Sequence, residues 1–462
     1  MTTLTELDLA ARVLEWVRVL GGPGTQAEAL VERHALALTR FANSYIHQNV
    51  ADSTTTVRLR LHRDGRTARG TTTLTVADAL RDLVERTVAA SRLCPPDPGW
   101  PGLAPPSTVD EPGTVDDDII AASPADRAAR VRAFVDASAG LPTAGFCRTT
   151  YATVAFVNSA GQVAQGATTE VAMNGIARTA SADGAARRAG PRLSDVDGAV
   201  LGARAAAKAL AGTDPVELPP GRYEVVLEPT AVGDILFALA LYGFNGKAVN
   251  ERRSFVVPGQ AQFDESITLV DDPTAPGQVG LPFDVDGAPK RPLTLIRAGI
   301  SEAVPHDRRT AAVAGTASNG RAIAGGSTWG AVPTNLTLLP ASATPPDEVA
   351  GPAADSSALE LVSGVRRGLL VTDHWYTRVL DPRTLVLTGL TRNGLWLIEN
   401  GEITRPVRNL RFTQSYPQAL APGAVLGVGS YAAPGVADWD SAFFAAPALH
   451  LAGWNFTGGA SG

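Results

Sequence analysis

Side chains able to do hydrolytic or metal chemistry are few and scattered in this chain. The six histidines are His34, His47, His62, His306, His374 and His450. No two of them are four positions apart, the spacing that would set two imidazoles on one helix face to hold zinc. Carboxylates cluster at Asp271-Asp272 and at Asp284-x-Asp286, and together with His306 these form the alternative metal site that the residues allow. Their settings, DDPTAPG and FDVDGAP, read first as turns, because aspartate bonds readily to nearby backbone. Gly246-Lys247 lacks the earlier glycine and the following hydroxyl of a phosphate loop, and the G-x-S-x-G, G-x-G-x-x-G and H-E-x-x-H patterns are absent. His374-Trp375-Tyr376 could line a pocket, although aromatic triplets more often pack. Cys94 and Cys147 form neither a C-x-x-C pair nor a disulfide framework, and read as two unconnected thiols.

The elements that would position these groups change character along the chain. Thr3 and Glu6 suit a capping box, with Leu7, Ala11, Leu14 and Val17 at helical spacing behind it until Gly21-Gly22-Pro23-Gly24. A second helix is expected from about Thr25 to Thr39, then a strand where Val57, Leu59 and Leu61 alternate with polar residues, closed by an Asp64-Gly65 hairpin turn. Val76, Leu80, Leu83, Val84 and Val88 mark another helix, and the Pro-rich stretch at about 94–113 reads as a surface linker. Ser123-Pro124 opens a helix, Tyr151 to Val157 is a strand ending in a turn, and an Ala-rich helix from about Asp195 to Leu210 closes at Gly212 in a left-handed cap. Beyond Pro219-Pro220 the runs VVLEP, SITLV, PLTLI, NLTLL, TLVLTGL, LWLIENGEI and LRFTQS read as short strands, interrupted by a helix at about Ala231 to Leu241. The expected fold class is α+β. Residues 1–220 would form a mixed helix and antiparallel-sheet region, and residues 221–462 a β-rich C-terminal domain.

Composition narrows the functions. With 462 residues, 45% hydrophobic and 19% charged, the chain should fold throughout as two or three domains. A net charge of −6 gives no basic surplus for phosphate contacts, so direct nucleic-acid binding is not expected. No apolar run reaches the roughly 18 residues of a membrane span. Charged residues interrupt the N-terminal stretch, so a cytoplasmic protein is expected.

Three segments, TRFANSYIHQNV (39–50), ITLVDDPTAPGQVGLPFDVDGAPKRPLTLIRAGI (267–300) and LTRNGLWLIENGEITRPVRNLRF (390–412), together resemble the TldD/PmbA family, also called modulators of DNA gyrase. In its active TldD-type members the pattern H-E-x-x-x-H supplies two zinc-binding histidines and a water-activating glutamate, and a cysteine near the C-terminus completes the ligands. The matching segment here is VVLEPTAVGDILFALALYGFNG (225–246), in which Phe237, Ala238 and Tyr242 stand where the first histidine, the glutamate and the last histidine would be. From Gly427 to Gly462 there is no cysteine. The resemblance therefore implies a TldE-like subunit with no catalytic residue, metal ligand or cofactor of its own. It would work beside a TldD-like zinc peptidase subunit on extended or unfolded peptides, and in isolation a homodimer is open to it. The alternatives are a self-standing hydrolase using Asp271, Asp272, Asp284, Asp286 and His306 around a metal, and a gyrase-associated regulator.

Overall fold

The structure is a computed structural model and describes residues 4–109, 113–341, 356–436 and 443–459. Helix α1 (Glu6–Leu20) is capped by Thr5, whose hydroxyl accepts from the Asp8 N–H while the Asp8 carboxylate accepts from the Thr5 N–H. This box lies two residues beyond the expected Thr3-Glu6 pair, and Thr3 falls outside the described residues. One face of α1, Leu9, Ala10, Val13, Leu14 and Val17, is buried.

The following segment is a strand, not the expected helix. Strand β1 (Gln26–Ala42) is followed by β2 (Tyr45–Arg63) and β3 (Arg66–Thr72), then by β4 (Thr143–Asn158), β5 (Val163–Arg178) and β6 (Asp183–Gly190). They form one antiparallel sheet in the order β3-β2-β1-β4-β5-β6. Ala, Leu, Glu and Arg give β1 a helical propensity, but it pairs with β2 on one margin and β4 on the other, and that pairing outweighs a weak local preference. The β2–β3 turn is at Asp64-Gly65, with φ of 50° and 69°, both positive as a tight hairpin requires.

Helices cover one face of this sheet. Besides α1 they are α2 (Ala77–Leu93), α3 (Asp117–Ala121), α4 (Pro124–Ala137) and α5 (Gly198–Ala211). Ala29, Val31, Leu59 and Leu61 meet α1 and α2, while Phe41, Cys147, Val171 and Met173 meet Phe134 of α4 and Leu201 and Ala205 of α5. Burial pushes the Cys147 thiol up to about 11, so it is an inert core group. Helix α5 starts later than expected because Asp197 caps it; Asp195 instead accepts from the Arg192 N–H. Gly212 ends it at φ −85°, right-handed rather than the expected left-handed.

The Pro-rich stretch is irregular, as its prolines dictate, but it is a fastened strap rather than a loose linker. Trp100 stacks on His62 at 4.8 Å and donates to Gln26. Asp97 takes two hydrogen bonds from Arg309 and one from Thr67, which hold its carboxyl down to about 2. Ala104 is buried, and residues 110–112 lie outside the described set.

The remaining strands all follow residue 220: β7 (Gly221–Leu227), β8 (Leu269–Asp271), β9 (Leu293–Arg297), β10 (Ile300–Ser301), β11 (Asn335–Leu338), β12 (Arg367–Asp381), β13 (Val386–Glu399), β14 (Glu402–Pro406), β15 (Leu410–Ser415), β16 (Val425–Val428), β17 (Ala433–Val436), β18 (Phe443–Ala446) and β19 (Leu449–Gly459). Strands β7, β19, β15, β13 and β12 pair in a ring that closes where β12 runs parallel to β7, making a small barrel. Val225, Leu227, Val371, Leu395, Phe412 and Trp454 are among the residues of its core. A second sheet runs β10-β9-β8-β11-β18-β17 and is antiparallel except for β11 with β18. Helix α6 (Pro229–Ala238) leaves the end of β7 and packs against β12 and β18. The architecture is α+β.

Candidate functional site

The face of the first sheet that carries no helices forms the floor of a cleft of about 1260 Å³, walled by α5, α6, the far end of β12 and β17. Strand alternation selects the floor. Arg40, Phe146, Asn174 and Arg187 lie in one row across β1, β4, β5 and β6, with Leu38, Arg148, Ala172 and Ala189 in the next. The intervening residues of β1, β4 and β5, such as Phe41, Cys147 and Met173, point to the helices. Arg188, in register with Met173 on the last strand of the sheet, reaches the cleft at the sheet margin, where it meets Tyr431.

Helix α6 presents Asp234, Phe237 and Ala238 to this cleft. It sits close to β18, since a Cβ on Gly233 would fall 2.2 Å from the Phe444 ring. After Ala238 the helix widens into a π turn at Leu239–Gly243, where the Phe244 N–H donates to the Leu239 carbonyl five residues back at 2.6 Å. Such turns realign positions five apart, and Tyr242 accordingly reaches the same cleft as Phe237. The three positions singled out by the family resemblance are thus brought together. Their side chains, a benzyl, a methyl and a phenol, do not fit a zinc ion, which takes imidazole, thiolate or carboxylate donors.

Below Asp234 lies a buried aromatic group. The Tyr416 hydroxyl donates to Asp234 Oδ2 at 2.6 Å, and burial beside that carboxylate raises the phenol well above its ordinary range. His374 Nδ1 is 3.5 Å from the same oxygen, and the ring lies 4.6 Å from Phe412 and 5.1 Å from Trp454, without a hydrogen bond at either nitrogen. The rest of the triplet does not pack inward. Trp375 and Tyr376 are exposed, with Arg392 4.3 Å from the Trp375 ring and Arg378 4.4 Å from that of Tyr376. Tyr376 has φ 57° in an irregular stretch of β12, which turns these side chains out.

Charge in the cleft is partly paired. Arg148 meets Glu170 at 2.9 Å, Arg187 meets Asp373 at 2.8 Å, and Lys208 of α5 meets Glu228 before α6. Arg40, Arg188 and Arg378 have no carboxylate partner among the described residues. Arg188 donates to the Tyr431 hydroxyl, and Arg378 to the carbonyl of Thr377.

The aspartates of the alternative metal site are elsewhere, each with its own partners. Asp271 is buried against Arg321 and also accepts from the Thr334 and Asn335 N–H groups. Asp272 bonds Thr274 within its turn. Asp284 accepts from Asp286, Ala288 and Ala322 backbone, and its burial pushes it up to about 7. Asp286 accepts from Arg60 at 2.8 Å. His306, lowered by burial, sits 3.2 Å from the Thr310 hydroxyl. Among the described residues, no group of three or more His, Cys, Asp or Glu side chains is placed to hold a metal ion. Asp234, Arg40, Arg188 and Arg378 carried no signal in the sequence, since the fold alone assembles them.

The family profile of the PmbA/TldA metallopeptidase C-terminal domain matches residues 220–458, just over half of the chain. A metalloprotease of Methanothermobacter thermautotrophicus is 24% identical over 292 residues, and the match spans 60% of each chain. The fold is shared with TldE from Thermococcus kodakarensis at a TM-score of 0.83 and 17% identity, covering 97% of this chain and 100% of that one. It is also shared with a Thermotoga maritima protein described as a candidate modulator of a DNA gyrase, at a TM-score of 0.80 and 17% identity over 97% and 99% of the two chains. With its β-barrel half matched from end to end by the family profile, the chain belongs to the TldD/PmbA family of metallopeptidases.

Proposed function

We propose that this chain is a non-catalytic, TldE-like subunit of a heterodimeric zinc metallopeptidase that cleaves unfolded or precursor peptides, the zinc being held by a TldD-like partner. The observation that carries this reading is the set of side chains on α6 and its π turn. A hydrolytic zinc site needs three protein ligands, an open position for water and a base to complete its deprotonation. Phe237, Ala238 and Tyr242 face the cleft where the family resemblance expects two ligands and the base, and offer none of those groups. The helix is instead part of the apolar core through Ala231, Val232, Ile235 and Leu236. A cleft this large exceeds the roughly 300–1,000 Å³ of a small-molecule pocket and suits extended polypeptide. We place the heterodimer in the cytoplasm and take the division near residue 220 as its domain boundary.

Co-expression with a TldD-like homologue tests the reading. The expected result is co-elution of the two chains and cleavage of an unfolded peptide by the pair, with none by this chain alone. A TldD-like chain that ignores this one, and is no more active in its presence, would overturn it.

A further inference from the structure

We propose that the cleft binds acidic segments of extended peptide, through Arg40, Arg188 and Arg378. The inference rests on the peptide-handling role above and adds the class of peptide. The cleft lining contains seven Arg and Lys side chains against four Asp and Glu, whereas the chain as a whole has a net charge of −6. This local reversal of sign occurs in a concave site, where low-dielectric walls focus the field on whatever enters. Three of the seven cations are neutralised in the pairs Arg148–Glu170, Arg187–Asp373 and Lys208–Glu228, and a fourth, Arg204, is engaged as well. Arg40 on the floor, Arg188 on β6 and Arg378 on β12 are not, and they mark out different sides of the cleft.

Two unpartnered polar atoms point the same way. Arg187 Nε and Asn393 Oδ1 are buried without a hydrogen bond, although Arg187 and Asn393 share the Asp373 carboxylate at the edge of the cleft. Buried donors and acceptors are normally satisfied, so a pair left open here suits a polar ligand. An extended main chain supplies both an acceptor and a donor. Among the described residues β12 beyond Val371 pairs with β13 alone, so this cleft-lining strand has a margin outside any ladder, whereas β6, last in its sheet, packs beside β17 and β13. Strand addition at such a margin reads backbone, while arginines select side-chain carboxylates. Single-stranded nucleic acid fits less well. The exposed rings suited to base stacking, Trp375 and Tyr376, already have Arg392 and Arg378 beside them.

The test measures fluorescence anisotropy of the full chain with labelled peptides of alternating Glu and Ser or alternating Lys and Ser, and with an oligothymidylate. The acidic peptide should bind best and weaken as salt rises. Arg40→Glu with Arg378→Glu, both at exposed positions, should weaken it by about tenfold or more and favour the Lys peptide. Arg40→Gln with Arg378→Gln, checked by an unchanged melting midpoint, should weaken the acidic peptide without that reversal. Equal binding of the two peptides, no binding of the acidic one, tighter binding of oligothymidylate, or indifference to both double variants would overturn the inference. If the chain still pairs with a TldD-like subunit and supports cleavage of neutral peptides, only this inference falls. If no pairing occurs, it is the subunit role that fails.

Discussion

Charged residues gather in two regions of this molecule, and they are used in opposite ways. In the segment 271–322 and where it meets the first sheet, charge is buried and paired: Arg321 with Asp271 and Asp284 with three backbone N–H groups inside the segment, and Arg60 of the sheet with both Glu28 and Asp286. In the cleft, cations outnumber carboxylates, and Arg40, Arg188 and Arg378 have no carboxylate partner among the described residues. Matched, dry charge fixes the relation of segments, because removing either partner strands the other in a low-dielectric interior. Unmatched charge beside solvent has no such structural duty. Of the aspartates that look most like a metal site in the sequence, Asp271, Asp284 and Asp286 belong to the first kind, while Asp272 bonds Thr274 in an exposed turn.

The sharpest break in this comparison is at Arg321, which is 1% exposed and also donates to the Asp271, Arg291 and Asn319 carbonyls. Arg321→Met should cost about 3–5 kcal/mol in denaturant unfolding, since it leaves Asp271 buried without its counter-charge. A loss below about 1 kcal/mol would show that this segment is not held by charge.

Next comes the pH dependence of the same region. Burial pushes Glu28 up to about 7 and does the same to Asp284, from ordinary values near 4. The folded state thus holds protons that the unfolded state has released. This stabilisation is complete below about pH 4 and is lost as pH rises through about 7. Asp97 has the opposite sign, but it falls to about 2, so its contribution is lost only in strong acid. The melting midpoint should therefore decline between pH 5 and pH 8, by the equivalent of about 1–3 kcal/mol. Glu28→Gln should flatten the slope, and an unchanged slope would contradict the assignment.

The cleft should behave differently. Arg40→Glu with Arg378→Glu should alter stability by no more than about 0.5 kcal/mol by thermal unfolding. A larger loss would place those arginines among the structural charges. The smallest effect is expected from a chelator, which should leave the melting midpoint of the isolated chain unmoved.

Local signals made several elements legible. Ser123-Pro124 opens α4 with a full capping box, and Leu80, Leu83, Val84 and Val88 are the buried face of α2. The aspartates at 272 and 284 do bond their own turns. Strand β1 was hidden because its residues favour helix and only its two neighbours make it a strand. The exposed Trp375 and Tyr376 were hidden too, because a local irregularity in β12 decides which way they turn. The α6 positions came from family resemblance, while the π turn that brings Phe237 and Tyr242 to one cleft has no sequence marker. Arg40, Arg188 and Arg378 belong to three strands far apart in the chain, so no window of sequence contains them together.

The most direct test of the account is metal content, measured on this chain purified alone and on both chains separated from a complex with a TldD-like subunit. The account predicts zinc with the partner and none with this chain, together with chelator-sensitive cleavage by the complex only. Stoichiometric zinc in the isolated chain, accompanied by cleavage that a chelator abolishes, would contradict it.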